Sequence, residues 1–320
     1  MGEGNRPRIT GNGAQEALLL LVDGHAYAYR AFHAIQRLSA PNGSPTNAIF
    51  GFIKMLTKLR QRLQPTHLAV VWDGGLDAGR LDVLPGYKAQ RPPMPEALEA
   101  QIEQIKEYLA AAGYASLCRE GIEADDWIAT LARQAVEAGA RVVIASSDKD
   151  FMQLVSDRVG LVNPNDKSET VWGVEQVRAK TGVNPPQIVE WLSLIGDSVD
   201  NIPGVEGVGP KTAADLLEQF GSVETLYQRL DDVTAQKMRE NLQAAAQQVR
   251  RNRDLIRLKD DLPGEVTLDS LLVRAADAEA LAALYRRWGF RSLLREVEGR
   301  AAGEAELFDM ASAGSGRAGF

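Results

Sequence analysis

The sequence predicts an α/β fold, a mainly parallel sheet flanked by helices and continued by a largely helical region. Two observations carry this. Short apolar runs, each the length of a buried strand, lead to an acid: Leu18 to Val22 before Asp23, Leu68 to Trp72 before Asp73, and Val142 to Ala145, which reaches Asp148 after two serines. Between them lie stretches with a helical period, about 46–63, 96–112 and 123–138. Strands alternating with helices build parallel sheets covered on both faces. Ligands bind such sheets at the carboxyl ends of the strands, where these acids fall.

Along the chain, 1–15 is Gly-rich, polar and without period, and is expected to be a flexible tail. The alternating α/β core is expected over 16–200. Within it, 74–95 is polar, rich in Gly and Pro, and of the length that marks a functional or disordered insertion. From about 201 the chain turns helical, with turn signals at Pro203-Gly204 and Gly207-Val208-Gly209-Pro210, so a second unit is expected over 201–298. The last stretch, 299–320, returns to Gly, Ala and Ser and reads as a second tail.

Composition narrows the chemistry. A length of 320 residues suggests about two domains. No apolar run approaches the roughly 18–20 residues of a membrane span. One cysteine, Cys118, cannot form an internal disulfide, which fits a reducing cytoplasm. Three histidines and one cysteine argue against structural zinc, so any metal must be held mainly by carboxylates, which favours Mg²⁺ or Mn²⁺. His25, His33 and His67 are scattered and read as surface or satisfied core residues. The net charge of −7 conceals basic clusters at 54–62, 88–91, 250–259 and 286–295.

Nine acids fall in five short segments: Asp23; Asp73; Glu123, Asp125 and Asp126; Asp148 and Asp150; Asp197 and Asp200. Taken singly, several could be helix caps. Taken together they meet at one sheet edge, and so many carboxylates resist ionising side by side without counter-charge. Two divalent ions supply it, and can activate water and stabilise the leaving oxygen of an in-line displacement at phosphorus. Competing motifs fail. An aspartyl-nucleophile phosphatase needs an acid two residues after Asp23, where His25 stands, and Pro210 precedes Lys211-Thr212 where a Walker loop needs Gly-Lys.

Two segments suit a polyanion. Gly204, Gly207 and Gly209, followed by Pro210, Lys211 and Thr212, form a turn into a helix start, where backbone N–H groups can hold a phosphate. Such contacts read the backbone and not the bases. Tyr87, Lys88 and Arg91 place an aromatic ring beside two cations, the composition that single strands require.

The motifs VDGHAYAYRAFHA (22–34), VVWD (70–73), GYKAQRPPMP (86–95), GIEADDWIATLA (121–132), SSDKDFMQL (146–154) and IGDSVDNIPGVEGVGPKTAADLL (195–217) resemble the 5′ nuclease (flap endonuclease) family. The resemblance is greatest to the 5′→3′ exonuclease domain at the front of bacterial DNA polymerase I. It runs from about Leu18 to Glu296; the wording of 74–77 departs from it. It implies a PIN-like core, a helical arch at about 76–110 and a helix–two-turn–helix (helix-hairpin-helix) module that grips duplex. Asp23, Asp73, Glu123 and Asp125 would hold one metal, and Asp148, Asp150 and Asp200 the second. Asp126 and Asp197 would act directly or through water. Lys88 and Arg91 would contact the scissile phosphate, Tyr87 would stack, Arg30 would lie on DNA, and K⁺ would bind the hairpin. The implied activity is 5′→3′ exonuclease and 5′ flap endonuclease in replication and repair, on flaps, nicks and RNA primer–DNA junctions. A structure-specific DNA-binding protein with an idle metal site is the alternative, which the presence of all nine acids disfavours. A free-standing nuclease would need a polymerase in trans. Glu304 to Phe308 partly resembles a sliding-clamp peptide, without its leading Gln.

Overall fold

The computed structural model describes residues 16–299 except 167, 169 and 265. The expected tail 1–15, all but the first residue of the tail 299–320, and the clamp-like peptide at 304–308 lie outside the described residues.

Five parallel strands form one sheet: β1 (Leu18–Asp23), β2 (His67–Trp72), β3 (Ala115–Cys118), β4 (Arg141–Ala145) and β5 (Val159–Val162), in the order β3-β2-β1-β4-β5. The three expected strands are the central three. The sheet adds β3 and β5 as edges, each four residues long and too short to show as an apolar run. The helices of the α/β part are α1 (Gly24–Ala34), α2 (Asn47–Leu63), α3 (Ala78–Val83), α4 (Glu96–Ala111), α5 (Ala124–Glu137) and α6 (Val174–Thr181). Then follow α7 (Ile188–Ile195), α8 (Pro210–Phe220), α9 (Val223–Gln228), α10 (Gln236–Ala244), α11 (Ala246–Ile256) and α12 (Ala278–Trp288).

Strand alternation divides the core into two layers. Leu20 and Val22 of β1, with Leu68, Val70 and Trp72 of β2, pack under α1, α2, α4 and α12. Leu19 and Leu21, with Val142 and Ile144 of β4, pack under α5 and the helices of the second part. Successive side chains of a strand point to opposite faces, so runs buried on both sides carry no polar alternation. The chain runs outward from β1 through β2 to β3, then crosses back to add β4 and β5 on the other side of β1. The carboxyl ends of β1 and β4 therefore flank a topological switch point, the usual crevice for a ligand.

The stretch expected as an arch divides in two. α4 buries Leu98, Gln101, Ile102 and Ile105 in the flanking layer of the sheet. The preceding residues, 74–95, lie across the strand ends and carry only the six-residue α3. After β4, Asp150–Leu154 form a short 3₁₀ helix, started by a hydrogen bond from Asp150 N–H to Asp148 Oδ1 (2.8 Å).

In the second part, the turn between α7 and α8 is tied down by α11. Asn252, fully buried, donates to Ser193 O (3.1 Å) and Pro203 O (2.6 Å), and Gln248 donates to Pro203 O (3.0 Å) and Gly204 O (2.9 Å). Gly204 has no alternative here, since a Cβ would stand 2.2 Å from Ile195 O. At Gly209, which caps α8, a Cβ would meet nothing within 4 Å. Gly204→Ala should therefore lose about 1–3 kcal/mol of stability, the usual cost of overpacking, whereas Gly209→Ala should leave it nearly unchanged. Thermal denaturation of both variants checks this, and equal midpoints would contradict the close packing of the turn.

Candidate active site

The acids reach the crevice because each closes a strand or opens a helix. Asp23 ends β1 and caps α1, its Oδ1 accepting from Ala26 N–H (2.9 Å) while Oδ2 accepts from the Ser146 hydroxyl (2.7 Å). Asp73 follows β2, and its Oδ1 accepts from Ala124 N–H (2.8 Å) at the start of α5. Capping and site-building are thus the same act: a carboxylate at a helix N-terminus satisfies an orphan donor and is held in place by it.

Six of the nine predicted acids, Asp23, Asp73, Asp125, Asp148, Asp197 and Asp200, line one cavity of about 710 Å³, together with His25, Tyr29, Arg91, Met94, Lys149 and Val199. Asp150 stands at its edge, where one carboxylate oxygen each from Asp150, Asp197 and Asp200 lie within 4.8 Å of one another. Asp197, expected to act directly or through water, is a full member of this group. Asp150 Oδ1 is buried without a hydrogen-bond partner. An orphaned buried oxygen beside two more carboxylates is the donor set of a hard divalent cation, so the residues fit the metal the family resemblance implies.

Burial and mutual repulsion weigh on these groups. Burial, with the charges of Asp73 and Asp148, pushes Asp23 up to about 6, against the pull of its two hydrogen bonds. Burial and Asp148 raise both Asp125 and Asp150 well above the ordinary range, and burial with the charges of Asp200 and Asp197 raises Asp148. Asp73 moves the other way. Partial desolvation would raise it, but the Ala124 N–H and the charge of Lys88 hold it low.

Two predicted ligands are turned away from the cavity. Adjacent positions on a helix do not share a face, so where Asp125 faces the cavity, Asp126 faces Arg80 of α3. The Arg80 guanidinium, buried, donates to both oxygens of Asp126 (2.8 Å each), to Glu123 (3.2 Å), and to the carbonyls of Leu255 (3.0 Å) and Arg257 (3.2 Å) at the end of α11. Asp126 also accepts from Lys259 N–H (2.9 Å). Glu123 accepts from Lys88 Nζ (2.6 Å), the Tyr87 hydroxyl (3.1 Å) and Asp77 N–H (3.1 Å). Glu123 and Asp126 are thus bound by protein donors and stand outside the cavity lining.

Tyr87 is buried among core residues with its hydroxyl on Glu123, so the expected base-stacking face is not available. Lys88 stands at a backbone φ of +55° that its N–H bond to Asp200 O (3.1 Å) helps to hold. Its ammonium, 3% exposed, lies behind the cavity wall, 3.9 Å from Asp125. Desolvation would lower its pKa, but the charges of Asp125, Glu123 and Asp200 keep it raised and the group charged. Arg91 does line the cavity and pairs with Asp200 (2.6 Å), as Lys149 pairs with Asp197 (3.2 Å). Arg30 is half-buried on α1 and donates to Asn165. Gly204, Gly207 and Gly209 lie in the α7–α8 turn and Lys211 and Thr212 in the first turn of α8, none of them in the cavity lining. Lys211 is exposed at the start of α8. The sequence pattern marks none of Arg80, Lys149 and His25, although Lys149 lines the cavity and pairs with Asp197. Arg80 sits in a segment without period, and His25 was read as surface or core but touches Asp73.

Comparison with known proteins agrees with this geometry. Residues 18–182 match the family model of the 5′-3′ exonuclease N-terminal resolvase-like domain, and 183–279 that of the 5′-3′ exonuclease C-terminal SAM fold. A 5′-3′ exonuclease of Aquifex aeolicus is 39% identical over 292 residues, covering 91% of this chain and 99% of that protein. DNA polymerase I of Pseudomonas aeruginosa is 41% identical over 298 residues, covering 90% of this chain and 32% of the polymerase. For DNA polymerase I of Rhizobium leguminosarum the figures are 40%, 87% and 28%. The chain thus spans about a third or less of the polymerases it matches. A bacteriophage T5 flap endonuclease, solved as a pseudo-enzyme-product complex with DNA and metal ions, shares the fold at a TM-score of 0.62 and 22% identity, over 88% of this chain and 98% of that one. The catalytic core of Rad2 in complex with DNA substrate does so at 0.60 and 16%, over 88% and 92%. The expected PIN-like parallel-sheet core followed by a helical domain is borne out. On the two family models and the Aquifex relative, the chain belongs to the 5′-3′ exonuclease family of nucleases.

Proposed function

We propose that this protein is a structure-specific 5′→3′ exonuclease and 5′ flap endonuclease that hydrolyses phosphodiester bonds near single-strand/duplex junctions in DNA. The observation that carries this is the convergence of Asp23, Asp73, Asp125, Asp148, Asp150, Asp197 and Asp200 on one crevice. Asp150, Asp197 and Asp200 would hold one Mg²⁺ or Mn²⁺; Asp23, Asp73, Asp125 and Asp148 would hold a second. When bound, such ions activate water and stabilise the leaving oxygen of an in-line displacement. Arg91, partly exposed, is free to exchange Asp200 for the scissile phosphate. Lys88 acts from behind the wall, orienting Asp125 and Glu123. The α7–α8 hairpin grips duplex through the start of α8 and Lys211, with K⁺ in its turn as the family resemblance implies. Primer removal and repair in the cytoplasm complete this reading. The free Cys118 and the absence, among the described residues, of a helix long and apolar enough to cross a membrane are in keeping with it.

Hydrolysis of a labelled 5′-flap duplex should require a divalent ion and stop in EDTA. Asp148→Asn should slow the single-turnover rate at least about a hundredfold while flap binding in Ca²⁺ persists. A variant that keeps more than a tenth of the wild-type rate would remove Asp148 from the site.

Without metal, stability should fall as pH rises. Asp23, Asp125, Asp148 and Asp150 have folded-state pKa values raised above those of an unfolded chain, near 4. Their contribution is complete below about pH 4 and is lost as pH rises through 6 and beyond. Asp73 and Asp77, held low, act in the opposite sense but are fewer. Melting in EDTA should therefore occur at lower temperature at pH 8 than at pH 5.5, with Mg²⁺ restoring most stability at pH 8. A midpoint that rises with pH in EDTA would contradict the strained acid cluster.

Gly209 offers a clean test of the grip, since its side-chain position is open and its φ of −91° suits any residue. Gly209→Val should fold normally yet bind flap duplex more weakly in Ca²⁺, by blocking close approach of a phosphate. Wild-type affinity should fall steeply with salt. Equal affinity and salt slope in wild type and variant would make the hairpin a structural turn.

A further inference from the structure

Asp73 is the one exposed acid in the cavity lining, with 42% of its side chain accessible. An exposed carboxylate is free to rotate unless something holds it, and a metal ligand must be held. One tether is the Ala124 N–H on Oδ1. The second is His25, in the first turn of α1. Its Nδ1, 3.2 Å from Asp73 N, accepts that N–H; Asp73 Oδ2 also lies 3.2 Å away, but an accepting Nδ1 has no proton for it, so the tether is to the backbone. The imidazole stands edge-on to Trp72, ring centroids 5.4 Å apart at 87°, so the residue just before Asp73 fixes the ring that in turn fixes Asp73. His25 itself lines the cavity.

The arrangement follows from the register. β1 and β2 are parallel neighbours with Asp23 opposite Val71, so α1 leaves the sheet beside the end of β2. A side chain two residues past Asp23 arrives beside the residue two past Val71. A long, rigid acceptor is needed at that point, and the imidazole Nδ1 provides one.

We propose that His25 is a positioning residue for metal binding: it holds the Asp73 backbone, and through it the carboxylate, in the orientation that a divalent cation requires. This rests on the metal-dependent nuclease reading and deepens it. His25 is not assigned proton transfer or direct ligation. Its role is to keep Asp73 from swinging into solvent. Outer partners of metal ligands typically contribute about 10–100-fold in affinity.

The test is Mn²⁺ binding to the whole protein, followed by isothermal titration calorimetry in the absence of DNA, for wild type, His25→Ala and His25→Asn. An asparagine Oδ1 can take the place of Nδ1 and accept the Asp73 N–H, so it restores the tether without the ring. His25→Ala should weaken the affected Mn²⁺ site at least tenfold, and His25→Asn should recover it to within about threefold of wild type. The Mg²⁺ concentration giving half-maximal flap cleavage should shift in the same order, with circular dichroism confirming that both variants fold. Wild-type affinity in His25→Ala would overturn the proposal while leaving the nuclease reading intact, as would an asparagine variant no better than alanine. If the wild type takes up no Mn²⁺, the metal-dependent reading fails and this proposal fails with it.

Discussion

The repulsion among seven carboxylates gathered at one end of the sheet is the constraint around which the structure is built. Two like charges 4 Å apart repel by about 4 kcal/mol at an effective dielectric constant near 20. No fold would collect Asp23, Asp73, Asp125, Asp148, Asp150, Asp197 and Asp200 for stability alone. Protein cations offset part of this at the rim, with Arg91 on Asp200 and Lys149 on Asp197. In the middle, burial first and the neighbouring carboxylates after it raise Asp23, Asp125, Asp148 and Asp150, so protein donors leave their charged forms undersupported. That deficit is what divalent ions would offset.

Around this strained centre the rest of the protein is tied by satisfied polar groups. Arg80 uses its guanidinium to join α3, the start of α5 and the end of α11. α11 also holds the α7–α8 turn through Gln248 and Asn252. The hairpin and the catalytic wall therefore share one helix as a common support. Glu123 extends the network to Lys88 and Tyr87. A buried arginine with its donors satisfied makes a rigid joint, and removing one partner would leave a charge stranded.

Much of this was legible in the sequence because strand ends and helix starts announce themselves. The central strands and three major helices follow from apolar runs and helical period, and the acids that close them fall together for that reason. The short edge strands carried no such signal. Nor could spacing show that Asp125 and Asp126 part company, because one helical step turns the second away toward a cation that no pattern marks. Tyr87 looked like a stacking platform from composition, but its hydroxyl found a buried partner in Glu123. His25 was invisible for a related reason: its importance lies in strand register, which brings α1 beside Asp73, and not in any neighbour along the chain.

The central claim is that the crevice acids, and not the Arg80-bound pair, hold the catalytic ions. Crystals grown with Mn²⁺ and measured at its absorption edge test this most directly. Two anomalous peaks are expected, one touching Asp150, Asp197 and Asp200, and one touching Asp23, Asp73, Asp125 and Asp148, with Arg80 still bound to Asp126. Peaks on Glu123 and Asp126 with Arg80 displaced, or a crevice without any peak, would contradict the account.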